Sequence, residues 1–337
     1  MTEIKVRKVW IDSLKGILIL LVVLGHSIQN TLKEGCYDNY WWNLIYSFHM
    51  PAFMAISGYL QYRPKPNGGG YICKIKRRTQ QLIIPYLIWT VIAVLITTKG
   101  LFIGQLFHNF LYPSGGYWFL WVLWVVTILM YLILNVSVRS HIKDEWLTVF
   151  IAIVLLGSEA ILNTKVLALH LISFYFVFYT FGYYYKKYES QMPSSRPYKI
   201  IIGFCVWYAL ASFWNMEKVP FFLKDVPLVP SSIMNLLYRF VTAIVGIWVL
   251  INAGNIYLNS SSKLNSIFAY LGKISIGIYV CHMIIGPYIN KIFSVYTSVS
   301  VTTNILLSFV ITASLSIIII GIIDKNKYTS KYLLGKI

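Results

Sequence analysis

The chain has 337 residues, 58% hydrophobic and 12% charged, with a mean hydropathy of +0.66. A soluble domain carries about twice that charged fraction, so a water-soluble globule, a disordered chain and a disulfide-built scaffold are excluded, and a polytopic membrane protein remains. The surplus of 29 Lys+Arg over 11 Asp+Glu, a formal +18, would suggest nucleic acid in a soluble protein, whereas in a membrane protein it is what cytoplasmic loops supply.

A spanning helix needs roughly 20 mostly apolar residues. Ten such runs are predicted, at about 13–32, 43–61, 80–98, 116–135, 146–163, 166–186, 198–215, 233–256, 266–289 and 302–323. The fifth and sixth are separated by little more than Asn163, Thr164 and Lys165, which predicts a tight hairpin. Leu101–Leu111 is apolar but too short to span, and fits a re-entrant or interfacial piece. With the N-terminus in the cytoplasm, most Lys and Arg fall on the inner side, among them Lys5, Arg7, Lys8, Lys74, Lys76, Arg77, Arg78, Lys186, Lys187 and Lys325. That bias supports an all-α fold of about ten transmembrane helices with both termini cytoplasmic, and removes the need for nucleic acid as partner.

The first run has no small-residue cleavage site after it and is expected to stay as an anchor. No repeat or separate soluble segment interrupts the chain, so residues 1–337 read as one membrane-embedded domain. Cys36, Cys73, Cys205 and Cys281 are scattered without metal-ligand spacing, and no metal site is expected.

Ionisable groups inside spans are costly and mark function by default. The first run carries Asp12, Lys15 and His26. Lys15 and His26 are eleven positions apart, close to three full turns at about 3.6 residues per turn, so they share a face, separated by roughly 16 Å along the axis. His49, Arg239 and His282 fall at the depth of His26, roughly 10 Å below the outer surface at about 1.5 Å per residue, and Glu159 lies near the outer end of the fifth run. A common depth suggests a shared cavity without showing that these groups face one another. On the inner side Lys74, Lys76, Arg77 and Arg78 suit either polyphosphate, through charge-assisted hydrogen bonds, or ordinary anchoring on anionic lipid.

These residues carry a family resemblance. Asp12-Ser13-Leu14-Lys15-Gly16 leading to Val23-Leu24-Gly25-His26 resembles the first helix of the acyltransferase-3 family of integral membrane acyltransferases, whose marker is a basic residue, ten residues, then histidine. Ser47-Phe48-His49-Met50-Pro51 with Ile56-Ser57-Gly58-Tyr59-Leu60 is similar to the family's second-helix motif. Arg77-Arg78 with Ile84-Pro85-Tyr86, Tyr117-Trp118-Phe119-Leu120, and Leu271-Gly272-Lys273-Ile274-Ser275 with Tyr279 and His282 match further blocks. The five blocks occur in family order across about residues 10–285.

The resemblance implies a ten-helix enzyme of a bacterial cell membrane that takes an acyl group, usually acetyl from acetyl-CoA, and delivers it to a sugar hydroxyl on a polysaccharide or a lipid-linked saccharide. Lys15 stands where many members have arginine, which is similar to the fucose 4-O-acetylase-like branch. Lysine is a point charge without arginine's fork, so bidentate phosphate contact there is not expected. No SGNH-type domain follows the tenth run, which disfavours two-step transfer through an attached hydrolase-like domain.

Esterification of a hydroxyl by a thioester needs a base, oxyanion stabilisation and a site for CoA. His26 is the expected base, since imidazole titrates near neutrality. Lys15 either attracts the anionic donor or holds Asp12 at (i, i+3), and Asp12 is its partner or a helix N-cap. His49 and His282 could orient His26, bind acceptor hydroxyls or serve the oxyanion; both have structural alternatives. Pro51 puts His49 where a helix starts or kinks. Arg77 and Arg78, with Lys74, are the candidates for CoA phosphates. Arg239, His282, Trp118 and Glu159 are the candidates for the acceptor, with Arg239 suited to an acidic sugar, the thioester carbonyl or Glu159, and Trp118 to stacking on a sugar ring or to the interfacial belt. Membrane lipids and the sugar acceptor are the expected partners, and self-association into a homo-oligomer stays open. A transporter or flippase of a polysaccharide precursor is the alternative, although it would usually show internal repeats and broken helices.

Overall fold

Backbone N–H and C=O groups find no water in hydrocarbon, so a spanning run must satisfy them internally, as helix. The computed structural model describes residues 9–63, 71–97, 102–193, 196–224, 229–259, 262–296 and 300–336; Lys5, Arg7 and Lys8 lie outside them. All ten predicted runs are helical, and no strand occurs among the described residues. The helices are α1 (Val9–Leu32), α2 (Tyr40–Tyr46), α3 (His49–Gln61), α4 (Tyr71–Thr97), α5 (Phe102–Leu111), α6 (Trp118–Ser140), α7 (Asp144–Leu162), α8 (Leu169–Tyr188), α9 (Pro197–Ser212), α10 (Ser231–Tyr257), α11 (Lys263–Lys273), α12 (Ser275–Tyr296), α13 (Val301–Ile323) and α14 (Lys327–Leu334). By length and composition 8 of the described helical stretches can cross a membrane, and α9 is apolar but shorter. The chain is an all-α polytopic membrane protein.

Two predicted spans are broken. The second divides into α2 and α3 at Ser47 and Phe48, and Pro51 then sits in the first turn of α3, where its missing N–H costs nothing. The ninth divides at Ile274, between α11 and α12.

The chain forms two compact units. The first comprises Met1–Phe53 and Met192–Ile317. In it α1 packs along α11, α12 and α10, and α9 packs on α10. The α1–α11 contact is made backbone to backbone through two glycines. A Cβ at Gly16 would stand 2.0 Å from the Phe268 carbonyl oxygen, and one at Gly272 would stand 1.8 Å from that of Asp12. Ser13 adds a hydrogen bond to the Asn265 carbonyl at 3.1 Å.

The second unit comprises Met54–Gln191 and Ile318–Ile337. Here α4 packs on α6 and α14, and α8 on α6 and α7. The predicted α7–α8 hairpin is present: Lys187 at the end of α8 bonds Asp144 at 2.8 Å and Glu145 at 2.6 Å at the start of α7. Gly58 and Gly182 bring α3 and α8 together, since a Cβ at either would meet a backbone oxygen, of Tyr179 at 1.9 Å and of Ala55 at 1.8 Å. This is the close approach that small residues permit between membrane helices. The short α14 returns to α4, where Trp89 Nε1 donates to the Leu333 carbonyl at 2.8 Å. Lys336, then Ser330, hold the Asp324 carboxyl below the usual carboxylate range.

Candidate active site

Six of the predicted residues, Asp12, Lys15, His26, His49, Arg239 and His282, belong to the first unit. Their helices are largely apolar, and the two histidines on α3 and α12 are held by backbone carbonyls within reach. His282 lies on α12 with 2% of its surface exposed, and its Nδ1 is 2.9 Å from the Ile278 carbonyl oxygen. A carbonyl only accepts, so Nδ1 carries the proton and Nε2 of the neutral ring carries a lone pair. Nε2 is buried and has no hydrogen-bond partner among the described residues.

The ring of His26 lies beside it, with centroids 5.1 Å apart and planes inclined at 50°. His26 is half-buried, and among the described residues neither of its nitrogens makes a hydrogen bond. The packed histidine of an ordinary helix–helix contact would have spent one nitrogen on a neighbour. The shared depth read from the sequence is therefore, for these two, a shared contact.

His49 is the first residue of α3. Its Nδ1 bonds the Ile45 carbonyl at 2.7 Å, so the imidazole stands in for a backbone donor at the helix break. Its ring meets the edge of Tyr46 at 4.6 Å. Tyr46 in turn stacks on Trp42 at 3.8 Å and donates to Gln29 Oε1 at 3.1 Å. It also fills the space over Gly25, where a Cβ would be 2.8 Å from the Tyr46 ring. Tyr46 thus connects His49 to the turn of α1 that carries His26.

Lys15 pairs with Asp12 at 2.9 Å, as one of its two readings expected. The N-cap reading of Asp12 does not hold, because Asp12 lies inside α1, three residues beyond Val9. Asp12 is 4% exposed, so its charge is matched within the same turn. The Arg239 guanidinium lies 5.7 Å above the Trp214 ring, an aromatic contact that the sequence reading did not anticipate.

The remaining candidates belong to the second unit. Lys74 lies 5.4 Å from the Tyr71 ring centre, Arg77 is exposed, and Arg78 donates to Gln81 Oε1 at 3.2 Å. Among the described residues no ion pair involves Lys74, Lys76, Arg77 or Arg78. Trp118 opens α6 and stacks on Tyr175 at 5.0 Å. Glu159 on α7 has one buried carboxylate oxygen without a partner among the described residues.

The sequence reading missed a seam of neutral polar groups on α1, α12 and α13. Asn290 donates to Thr31 at 2.6 Å and to Asn304 at 3.3 Å, and Ser308 donates to Asn304 at 3.0 Å. Asn304, Ser308, Thr312 and Ser316 follow one another every fourth residue on α13, all at most 5% exposed. That spacing was the available signal, in a run whose other hydroxyl residues, Thr302, Thr303 and Ser314, fall outside it.

The acyltransferase-3 sequence profile, described as an acyltransferase domain, matches residues 8–323. The chain is 30% identical over 219 residues to a nodulation protein, NolL, of Sinorhizobium fredii, covering 60% of this chain and 55% of that protein. It is 35% identical over 139 residues to the NolL of Mesorhizobium japonicum, covering 37% of this chain and 35% of that protein. The chain thus spans about half the length, or less, of the curated relatives it matches. No solved structure matches it.

Proposed function

The chain belongs to the acyltransferase-3 family, and from that premise we propose that it is a membrane O-acetyltransferase carrying acetyl from acetyl-CoA to a hydroxyl of a cell-surface or lipid-linked sugar. The observation that carries the reading is the pair of His26 nitrogens that make no hydrogen bond among the described residues, beside His282. His26 takes the proton of the acceptor hydroxyl as its oxygen attacks the thioester carbonyl. The new C–O bond forms, the C–S bond breaks, and the proton passes to the departing CoA sulfur. His282 keeps its Nδ1 proton on Ile278, leaving Nε2 to accept a hydroxyl hydrogen bond rather than to donate to an oxyanion.

Lys74, Arg77 and Arg78 are assigned to the CoA phosphates. That none of them pairs with a carboxylate among the described residues supports this, because cations already paired would have to break those bonds first. Lys15 is assigned to holding Asp12. Trp118 offers an aromatic face for a sugar ring, while Arg239 and Glu159 remain candidates for the acceptor. The rhizobial relatives support a bacterial cell membrane as the location. The two broken spans would also suit a transporter of polysaccharide precursors; the family assignment favours acyl transfer.

The test is mass spectrometry of surface glycans from cells with the wild-type protein, without it, and with His26→Ala. Acetyl groups that depend on the protein and vanish in the variant are expected. Identical glycans in all three would overturn the reading.

A further inference from the structure

Tyr46, the last residue of α2, grips the turn of α1 that carries His26 at two points. Its ring lies over Gly25, where a Cβ would stand 2.8 Å from Cε2 and 3.6 Å from Cδ2. Its hydroxyl donates to Gln29 Oε1 at 3.1 Å. Gly25 and Gln29 are four residues apart and share a helix face, and His26 follows Gly25 directly in the chain.

The ring is itself fixed. It stacks on Trp42 at 3.8 Å with planes inclined at 20°, and Trp42 is 1% exposed and meets Tyr37 edge-on at 5.3 Å. The His49 ring meets Tyr46 at 4.6 Å and 68°, and His49 is tied through Nδ1 to the Ile45 carbonyl at 2.7 Å. A loosely held side chain would swing away from a methyl added at residue 25. This ring can do so only by giving up the Trp42 stack and the Gln29 bond, and close-packed neighbours resist such shifts. Glycine at 25 is what lets the ring lie against the α1 backbone.

Neither nitrogen of His26 makes a hydrogen bond among the described residues. Its imidazole is therefore placed by the backbone of its turn and by ring packing, and a group that acts on a substrate atom tolerates little misplacement, since about 1 Å can cost about 10²-fold in rate. We infer that Tyr46 is the positioning residue of the site: it holds the His26 turn of α1 in register with His49 and takes no part in the proton transfer. This rests on the acyl-transfer reading, in which His26 is the base. Gly25 is the other half of the device, because only a residue without a Cβ admits the ring there.

The test follows CoA release from acetyl-CoA by permeabilised membranes of the producing cells, which carry their own acceptor. Rates are taken above those of membranes lacking the protein and normalised to folded protein, measured by gel filtration in detergent. Tyr46→Leu removes the ring and should lower the maximal rate by about tenfold or more while the KM for acetyl-CoA stays unchanged. Tyr46→Phe keeps the ring and loses the Gln29 bond, and should stay within about threefold of wild type. Gly25→Ala should be as slow as Tyr46→Leu. The double variant Gly25→Ala/Tyr46→Leu should be no slower than either, because both act through one contact, whereas independent effects would multiply to about a hundredfold. Tyr46→Met replaces Tyr46→Leu if that variant does not insert.

A second measurement on the purified proteins needs no turnover: the rate at which diethyl pyrocarbonate modifies His26, read on its peptide by mass spectrometry. That rate should change severalfold in Tyr46→Leu and in Gly25→Ala, and stay at the wild-type value in Tyr46→Phe. Unchanged maximal rates, a loss confined to KM, multiplying effects, or an unaltered modification rate in Tyr46→Leu would each overturn the inference. If wild-type membranes release no CoA, the acyl-transfer reading fails, and the modification rates alone decide whether Tyr46 sets His26.

Discussion

His26 and His282 sit with ring centres 5.1 Å apart on neighbouring helices, and they are not equivalent. The Ile278 carbonyl fixes one nitrogen of His282 as donor, while neither nitrogen of His26 is held by a described residue. An imidazole with both nitrogens unspent can pick up and release a proton without first breaking a bond. His26→Ala should therefore lower the transfer rate by about 10²–10⁴-fold, the usual contribution of a positioned base. Membrane insertion and melting temperature should stay near wild type, because no hydrogen bond among the described residues is lost. Residual activity above about a tenth would remove the base assignment.

The Lys15–Asp12 pair makes a different prediction for the other end of the stripe. Lys15→Met removes the Lys15 ammonium from the nearly buried Asp12 carboxylate, a loss on the scale of a charged hydrogen bond, about 1.5–3 kcal/mol. Adding Asp12→Asn should restore most of that stability. Melting curves and transfer rates on both variants separate the roles. If Lys15 serves only Asp12, activity returns with stability; a stable but inactive double variant would show that Lys15 also acts on the donor.

Arg77 and Arg78 pair with no carboxylate among the described residues, so Arg77→Ala/Arg78→Ala should leave the melting temperature alone. Each charge-assisted bond to a phosphate is worth about 1.5–3 kcal/mol, so the apparent KM for acetyl-CoA should rise tenfold or more, at about 1.4 kcal/mol per decade. The maximal rate should change little. Lipid or topology anchors would instead reduce the amount of inserted protein and leave KM unchanged, which membrane expression and donor kinetics on one preparation will distinguish.

Glycine substitutions should split sharply by position. Gly272→Ala would drive a methyl into the Asp12 carbonyl oxygen, 1.8 Å away, and its relief requires α1 and α11 to separate, at a cost of at least about 1–3 kcal/mol. Gly321→Ala meets nothing within 4 Å and should be neutral or stabilising by about 0.5–1 kcal/mol, as expected for helix interiors. Equal melting temperatures for the two variants would contradict the α1–α11 contact.

Much of the fold was legible because hydrocarbon admits few solutions. Each run of apolar residues became helix, and Asp144, Glu145 and Lys187 closed the hairpin that the short Asn163-Thr164-Lys165 connection required. The break before His49 was signalled by Pro51. The break at Ile274 was not, since no proline marks it and Leu271, Ile274, Ile276 and Ile278 keep the stretch apolar on average across Lys273 and Ser275. In the site, titratable side chains drew attention to His26 and His282 because charge is rare at that depth. Thr312, Asn290 and Asn304 were overlooked because neutral polar residues are ordinary in membrane helices. The four-residue spacing on α13 is the mark the sequence does carry; that the Thr312 hydroxyl finds no partner among the described residues is visible only in the packing. Tyr46, which ties His49 to Gly25, is likewise a property of packing between α1 and α2.

The two glycines that press α1 onto α11 also limit how the protein can move. A helix whose backbone touches its neighbour's at Gly16 and again at Asp12 can neither roll about its axis nor slide along it without lifting away. The helix that carries His26 is therefore a fixed post. Substrates must come to it through rearrangement of side chains and of the other helices, and a cross-link from α1 to α11 should leave turnover intact where one that tethers a moving helix would stop it.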